Sequence, residues 1–195
     1  MENEEDITLL EKVKSGNQEA FTVIVKRYRP QVARTIIAML GQTDEAEDVG
    51  QEVFIRLYRS IDKFRGDSAL GTYLTRIAIN LSLNALKKQK RHHVFRSYAN
   101  DEDNDKQLYN LPNYDDEHET KDTQELVQMA LGQLDPKFRS VVVLRMLQGF
   151  STKETAEALK IPLGTVLSRL TRAQEKLKQE LKHLGYEETI ASSRH

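Results

Sequence analysis

Cysteine is absent from the 195 residues. Its absence excludes a disulfide framework, a zinc knuckle and a thiol nucleophile. Long apolar runs are absent too. None approaches the roughly 20 residues of a membrane span, so membrane insertion is not expected. The chain opens on the acidic "MENEED", the opposite of a positively charged signal peptide, and the expected compartment is the cytosol. No internal repeat and no strand-period segment is evident. The five histidines stand at 92, 93, 118, 183 and 195, in or near flexible or terminal segments. Net charge is nearly absent as well, at −1.

The charge is distributed unevenly. Residues 1–99 carry 16 Lys and Arg against 13 Asp and Glu, and residues 124–195 carry 11 against 8. Between them, residues 100–123 carry 2 against 9. Two mildly basic blocks therefore flank an acidic segment. Phosphate binding depends on such local patches, not on the whole-chain balance.

Hydrophobic spacing predicts helices throughout. Ile7, Leu10 and Val13 mark a first inward face, and "SGN" interrupts it at Gly16. Phe21, Ile24, Val25 and Tyr28 mark a second, in which Pro30 starts a further turn or a kink. Gly41 stops that segment, and Thr43 is placed to cap the helix after it. This helix, over Asp44–Ile61, has Val49, Val53, Phe54, Leu57, Tyr58 and Ile61 inward. "FRGDS" (64–68) is a loop, and a helix over about 69–90 has Leu74, Ile77, Ala78, Leu81 and Leu86 inward. Four helices fit the rest: Thr123–Leu134, Pro136–Leu147, Ser151–Leu159 and Gly164–Leu184. The expected architecture is all-α. Two small helical domains (1–96 and 123–186) are joined by a flexible acidic linker (97–122), with a tail over 187–195.

Three stretches point to function. Ser151 and Glu154 form a capping-box pattern, with Thr155, Ala156 and Leu159 expected inward. After the "KIPLG" turn, Val166, Leu170, Ala173 and Leu177 keep an inner stripe, while Ser168, Thr171, Arg172 and Glu175 face out. This is a helix-turn-helix pattern or a plain small bundle. In the first case Arg172 can pair with guanine, and Ser168 or Thr171 can contact bases or phosphate. On the Asp44 helix, Asp48, Gln51 and Glu52 form an acidic and amide row. Acids near the helix start complement its dipole, but these three lie more than one turn in and suit a basic protein surface. On the 69–90 helix, Asn80 and Asn84 stand four apart. With Phe64, Arg65, Tyr73, Arg76, Lys87 and Lys88 they suit single-stranded DNA, through stacking, edge contacts and phosphate contacts. The plainer reading places Phe64 and Tyr73 in the core.

Together these pieces resemble a bacterial sigma factor of the extracytoplasmic-function (ECF) type over nearly the whole chain. "AEDVGQEVFIRLY" resembles the segment that docks on polymerase. "FRGDSALGTYLTRIAIN" resembles the minus-10 reading and melting segment. "LDPKFRSVVVLRMLQGFSTKETAEALKIPLGTVLSRLTRAQEKL" resembles the minus-35 reader. The resemblance implies a dissociable initiation subunit with no catalytic residues, no metal and no cofactor. Core RNA polymerase, through its beta-prime clamp helices, would meet Asp48, Gln51, Glu52, Phe54 and Arg56, and the beta flap is a further contact. Minus-10 DNA would meet Phe64, Arg65, Ser68, Arg76, Asn80, Asn84, Lys87 and Lys88. Minus-35 DNA would meet Lys153, Thr165, Leu167, Ser168, Arg169, Thr171 and Arg172. The acidic linker would occupy the RNA-exit path, and an anti-sigma partner is expected. Four positions depart from the family pattern: Gly50, Tyr73, Leu167 and Gln174. Two rival readings are a stand-alone helix-turn-helix regulator and a metal-dependent nucleic-acid hydrolase using Asp48 and Glu52.

Overall fold

Capping side chains and glycines set the helix ends. The computed structural model describes residues 2–64, 66, 68–99 and 119–185. It divides into two compact units, Met1–Asn100 and Asp101–His195. All regular structure among the described residues is helical, as the periodicity predicts.

The first unit holds α1 (Glu2–Lys14), α2 (Gln18–Leu40), α3 (Asp44–Ser60), a 3-10 turn (Ile61–Lys63) and α4 (Leu70–Ala99). Asn17 accepts from the Ala20 amide at 3.0 Å and opens α2. Thr43 accepts from the Ala46 amide at 3.2 Å and opens α3. Each supplies a partner for an amide that the first turn of a helix leaves unpaired. The core is Ile24, Ile36 and Met39 of α2, Val53 and Leu57 of α3, and Leu74, Ala78 and Ile79 of α4, all fully buried. α2 runs unbroken through Pro30, whose ring faces solvent. The proline removes one backbone hydrogen bond, and burial of Val32, Ile36 and Met39 beyond it holds the helix on course.

α2 and α4 cross closely at Gly71. A Cβ there would meet the Gln31 side chain at 2.9 Å and the Tyr28 ring at 3.1 Å. One turn on, the Gln31 amide donates to the Thr75 hydroxyl at 3.2 Å. α1 packs on α2 with a face other than the expected one. Leu10 and Val13 are buried, but Ile7 is exposed and Asp6 takes the inner position. Asp6 accepts from Arg27 at 2.8 Å and from the Tyr28 hydroxyl. Desolvation works against the Arg27 charge, but bonds and charge from Asp6, then Glu5, hold its pKa above the ordinary value.

The second unit holds α5 (Glu119–Gln133), α6 (Pro136–Val142), a π-helical segment (Val143–Leu147), α7 (Thr152–Leu159) and α8 (Leu163–His183). Asp135 caps α6, with Pro136 in its first turn, where a missing N–H does no harm. Arg139 is buried, and its guanidinium donates to the carbonyls of Gly132 and Leu134. It thereby serves carbonyls at the end of α5 that no helical amide reaches. The capping box is present: the Glu154 amide donates to Ser151 Oγ at 3.2 Å, and the Ser151 amide to Glu154 Oε2 at 2.8 Å. Lys160, at φ 53, turns the chain in the left-handed region between α7 and α8.

Several sequence expectations change here. The helix predicted over Pro136–Leu147 keeps its span, but its last five residues are π-helical. On α7 the buried residues are Thr155 and Ala158, not Ala156. Part of the segment expected as a linker over 97–122 is helical. Residues 97–99 close α4 and residues 119–122 open α5. No glycine or proline stands between Lys90 and Ala99 to stop α4. The remainder of that segment and the tail over 187–195 lie outside the described residues.

Candidate docking face and nucleic-acid interfaces

α3 presents Asp48, Gln51 and Glu52 away from the core. Asp48 and Gln51 are exposed, and Glu52 is half-buried. Their inner neighbours Val49, Val53 and Leu57 are buried. Glu52 accepts from Arg56 at 2.8 Å, an i,i+4 pair that fixes the carboxylate on the helix surface. Phe54 is half-buried and Arg56 exposed. Two residues apart on a helix, they fall on opposite flanks of the acidic row. Tyr58, expected inward, is 52% exposed and meets the Phe21 ring edge-on at 5.1 Å. Ile55 is 42% exposed. It lies four residues after Gln51 and three after Glu52, so this acidic face has an apolar centre. Spacing on the sequence marks only the polar members of this face, although continuing the 48–51–52 row by one step reaches Ile55. Gly50 faces α2, where a Cβ would sit 3.8 Å from Ile36.

The second surface lies on α4. Residues 73, 76, 80, 84, 87 and 91 advance by three or four and make one stripe about 27 Å long. Asn80, Asn84, Lys87, Lys88 and Arg91 are exposed, and Tyr73 and Arg76 are half-buried. At the stripe's N-terminal end the Phe64 and Tyr73 rings meet edge-on at 5.1 Å. The Tyr73 hydroxyl lies 3.0 Å from Ser60 Oγ. This ring pair joins the loop to the helix, and each ring keeps part of its surface open. Ser68 is half-buried, and Arg65 lies outside the described residues. The stripe offers amides in its middle, cations toward its C-terminal end and aromatic surface at its start. That order suits an unpaired strand lying along the helix.

The third surface is α8 with α7. Val166 and Ala173 are buried, and Leu170 and Leu177 are half-buried against the unit's core. Leu167, Ser168, Thr171 and Arg172 are exposed, as is Lys153 on α7, while Thr165 and Arg169 are half-buried. Ser168 donates to the Thr165 carbonyl at 3.1 Å, and Thr171 to the Leu167 carbonyl at 3.2 Å. Hydroxyls that donate inward present their lone pairs outward. They can accept from the amino groups of adenine or cytosine. The first turn of α8 holds no acidic residue, so nothing there repels a phosphate.

Two family models match the chain: Sigma-70 region 2 over residues 24–92, and Sigma-70, region 4 over residues 124–177. The ECF RNA polymerase sigma-E factor of Haemophilus influenzae is 33% identical over 183 residues, covering 92% of this chain and 96% of that protein. The chain belongs to the ECF sigma factor family. The sigma-E factor of Escherichia coli K12 is 34% identical, covering 92% of this chain and 95% of its own. SigW of Bacillus subtilis is 33% identical, with 90% and 96% covered. The fold matches CnrH, solved in complex with the cytosolic domain of CnrY (TM-score 0.62, 24% identity, 92% of this chain and 98% of that one). It also matches the sigma factor RpoE of Bartonella quintana (TM-score 0.60, 23% identity, 83% and 96%).

The protein is an alternative sigma factor that works with core RNA polymerase in transcription initiation. The region 2 match takes in all of α3 and most of α4. Those are the surfaces that a stand-alone regulator leaves without a role. Among the described residues no helix is long and apolar enough to cross a membrane. None of them form a group of three or more carboxylates or histidines that could hold a metal ion.

Proposed function

We propose that this sigma factor divides its work among the three surfaces. α3 docks on the beta-prime clamp helices through Asp48, Gln51, Glu52 and Arg56, with Ile55 and Phe54 adding apolar contact. α4 and the loop before it hold melted minus-10 DNA. There Phe64, Arg65 and Ser68 form a base-capture site with Asn80 and Asn84. Arg76, Lys87 and Lys88 hold the backbone. α8 enters the minus-35 major groove with Leu167, Ser168, Thr171 and Arg172 toward base edges. Lys153, Thr165 and Arg169 hold phosphates, and the beta flap is the second polymerase contact of this unit. The chain acts as a binding subunit in the cytoplasm, without catalysis of its own and without entering a membrane.

One observation carries the reading. The acidic row of α3 and the amide-and-cation stripe of α4 are solvent-facing surfaces of opposite charge within one unit. Opposite charge suits two different partners, a basic protein and a nucleic acid. The Bartonella quintana factor was solved with the anti-sigma factor NepR. An anti-sigma partner is expected for this chain too, and one that covered the α3 face would keep it off polymerase.

In vitro transcription with purified core and a promoter library tests the reading. Holoenzyme should select promoters that share two elements, and the free chain should bind none of them tightly. Tight, sequence-specific binding by the chain alone is the result that overturns it.

A further inference from the structure

Two leucines stand in solvent at the start of α8. Leu163 is 48% exposed and Leu167 is 49% exposed. They are four residues apart, so their Cβ atoms lie about 6 Å from each other on one side of the helix. The helix already fills its core with Val166 and Ala173. The helix surface next to Leu163 is open too: a Cβ on Gly164 would meet nothing within 4 Å. Beside this apolar pair the helix exposes Ser168, Thr171 and Arg172, which favour nucleic acid over an apolar protein groove.

We propose that Leu163 and Leu167 form an apolar ridge that reads the 5-methyl groups of two thymines about two base pairs apart in the minus-35 element. This rests on the reading that α8 enters the major groove. In that groove thymine alone presents a methyl group. Base pairs rise by about 3.4 Å, so a spacing of about 6 Å spans two steps, one methyl for each leucine. A guanine or cytosine at either step sets a polar edge against a leucine and strips water from it without a replacement hydrogen bond. Arg172 lies five residues beyond Leu167, on another side of the helix, and reads a different base pair. The ridge is therefore a separate determinant of promoter choice.

Substitution in the DNA tests the ridge without touching the fold. Holoenzyme from purified core and the full chain first selects its minus-35 element. Each thymine of that element is then replaced singly by deoxyuridine, which removes the methyl and keeps the pairing. Binding should weaken about fourfold at one thymine, or at two thymines separated by one base pair, and stay unchanged elsewhere. The double variant L163A/L167A should lose that sensitivity and still depend on the minus-35 element. Two controls keep the underlying reading apart: deletion of the element, and R172A. If neither weakens binding, the groove reading of α8 fails. If both do, and deoxyuridine has no effect at any position, the ridge is overturned and the groove reading stands. Loss of core polymerase binding in L163A/L167A, with methyl sensitivity unchanged, also overturns the ridge, because the leucines then face protein.

Discussion

Glu52 holds an ion pair within its own helix and lies on the face proposed for polymerase. Its pair with Arg56 is exposed and spans i,i+4, so its worth to folding is about 0.3–0.5 kcal/mol. Glu52→Ala should leave the melting temperature nearly unchanged. It should weaken binding to core polymerase at least about tenfold, as read by competition against a labelled sigma factor. Equal binding by variant and parent would remove α3 as the docking face. Arg172→Ala should reduce discrimination at one minus-35 base pair by about 1–3 kcal/mol. A library selection with the variant holoenzyme would show relaxed choice at that pair. Gly71 makes a purely structural prediction. A Cβ there would meet the terminal amide of Gln31 at 2.9 Å and the Tyr28 ring at 3.1 Å, so Gly71→Ala should push the Gln31 amide off the Thr75 hydroxyl and destabilise the first unit by up to about 1 kcal/mol. Thermal melting checks it, and a rise in melting temperature would overturn it.

Among the elements, α7 gives the cleanest prediction because its capping box is complete. Ser151→Ala should cost about 1 kcal/mol and lower the melting temperature of the second unit by about 4–8 °C. Differential scanning calorimetry would detect it. The elements also mark how far the sequence can be read. Helix count and several helix starts are legible, with Thr43 and Ser151 advertising their caps locally. Three things are not. The inner face of α1 turns on Asp6, whose burial depends on Arg27 and Tyr28 of another helix. The π-helical turn is tied to Arg145, which donates to the Phe150 carbonyl, and nothing in the local spacing announces it. The end of α4 falls too early in a sequence reading because a run of cations resembles a terminus, although no glycine or proline follows before Ala99 to end the helix. For the candidate surfaces, the polar members are legible from their spacing on α3, α4 and α8. Ile55 and Leu163 are not: Ile55 falls outside the inward stripe and Leu163 falls in the "KIPLG" turn, so spacing gives neither a role until its exposure is known.

Across the whole molecule, near-zero net charge conceals local basic patches. Promoter binding by holoenzyme should fall steeply with salt because the cations of α4 and α8 displace counterions from phosphate. Replacing Lys87 and Lys88 together by Ala should flatten that dependence by about two charges, read as the slope of log K against log salt. The two units bury separate sets of core residues, Leu74 and Val53 in one and Val141 and Leu144 in the other. Such an arrangement has an evolutionary consequence. A substitution that changes what α8 reads is judged by the folding of its own unit alone. On the proposed division of work, the minus-35 preference can drift while the α3 face stays under constant selection. A new regulon is then open to a chain that alters only its last third.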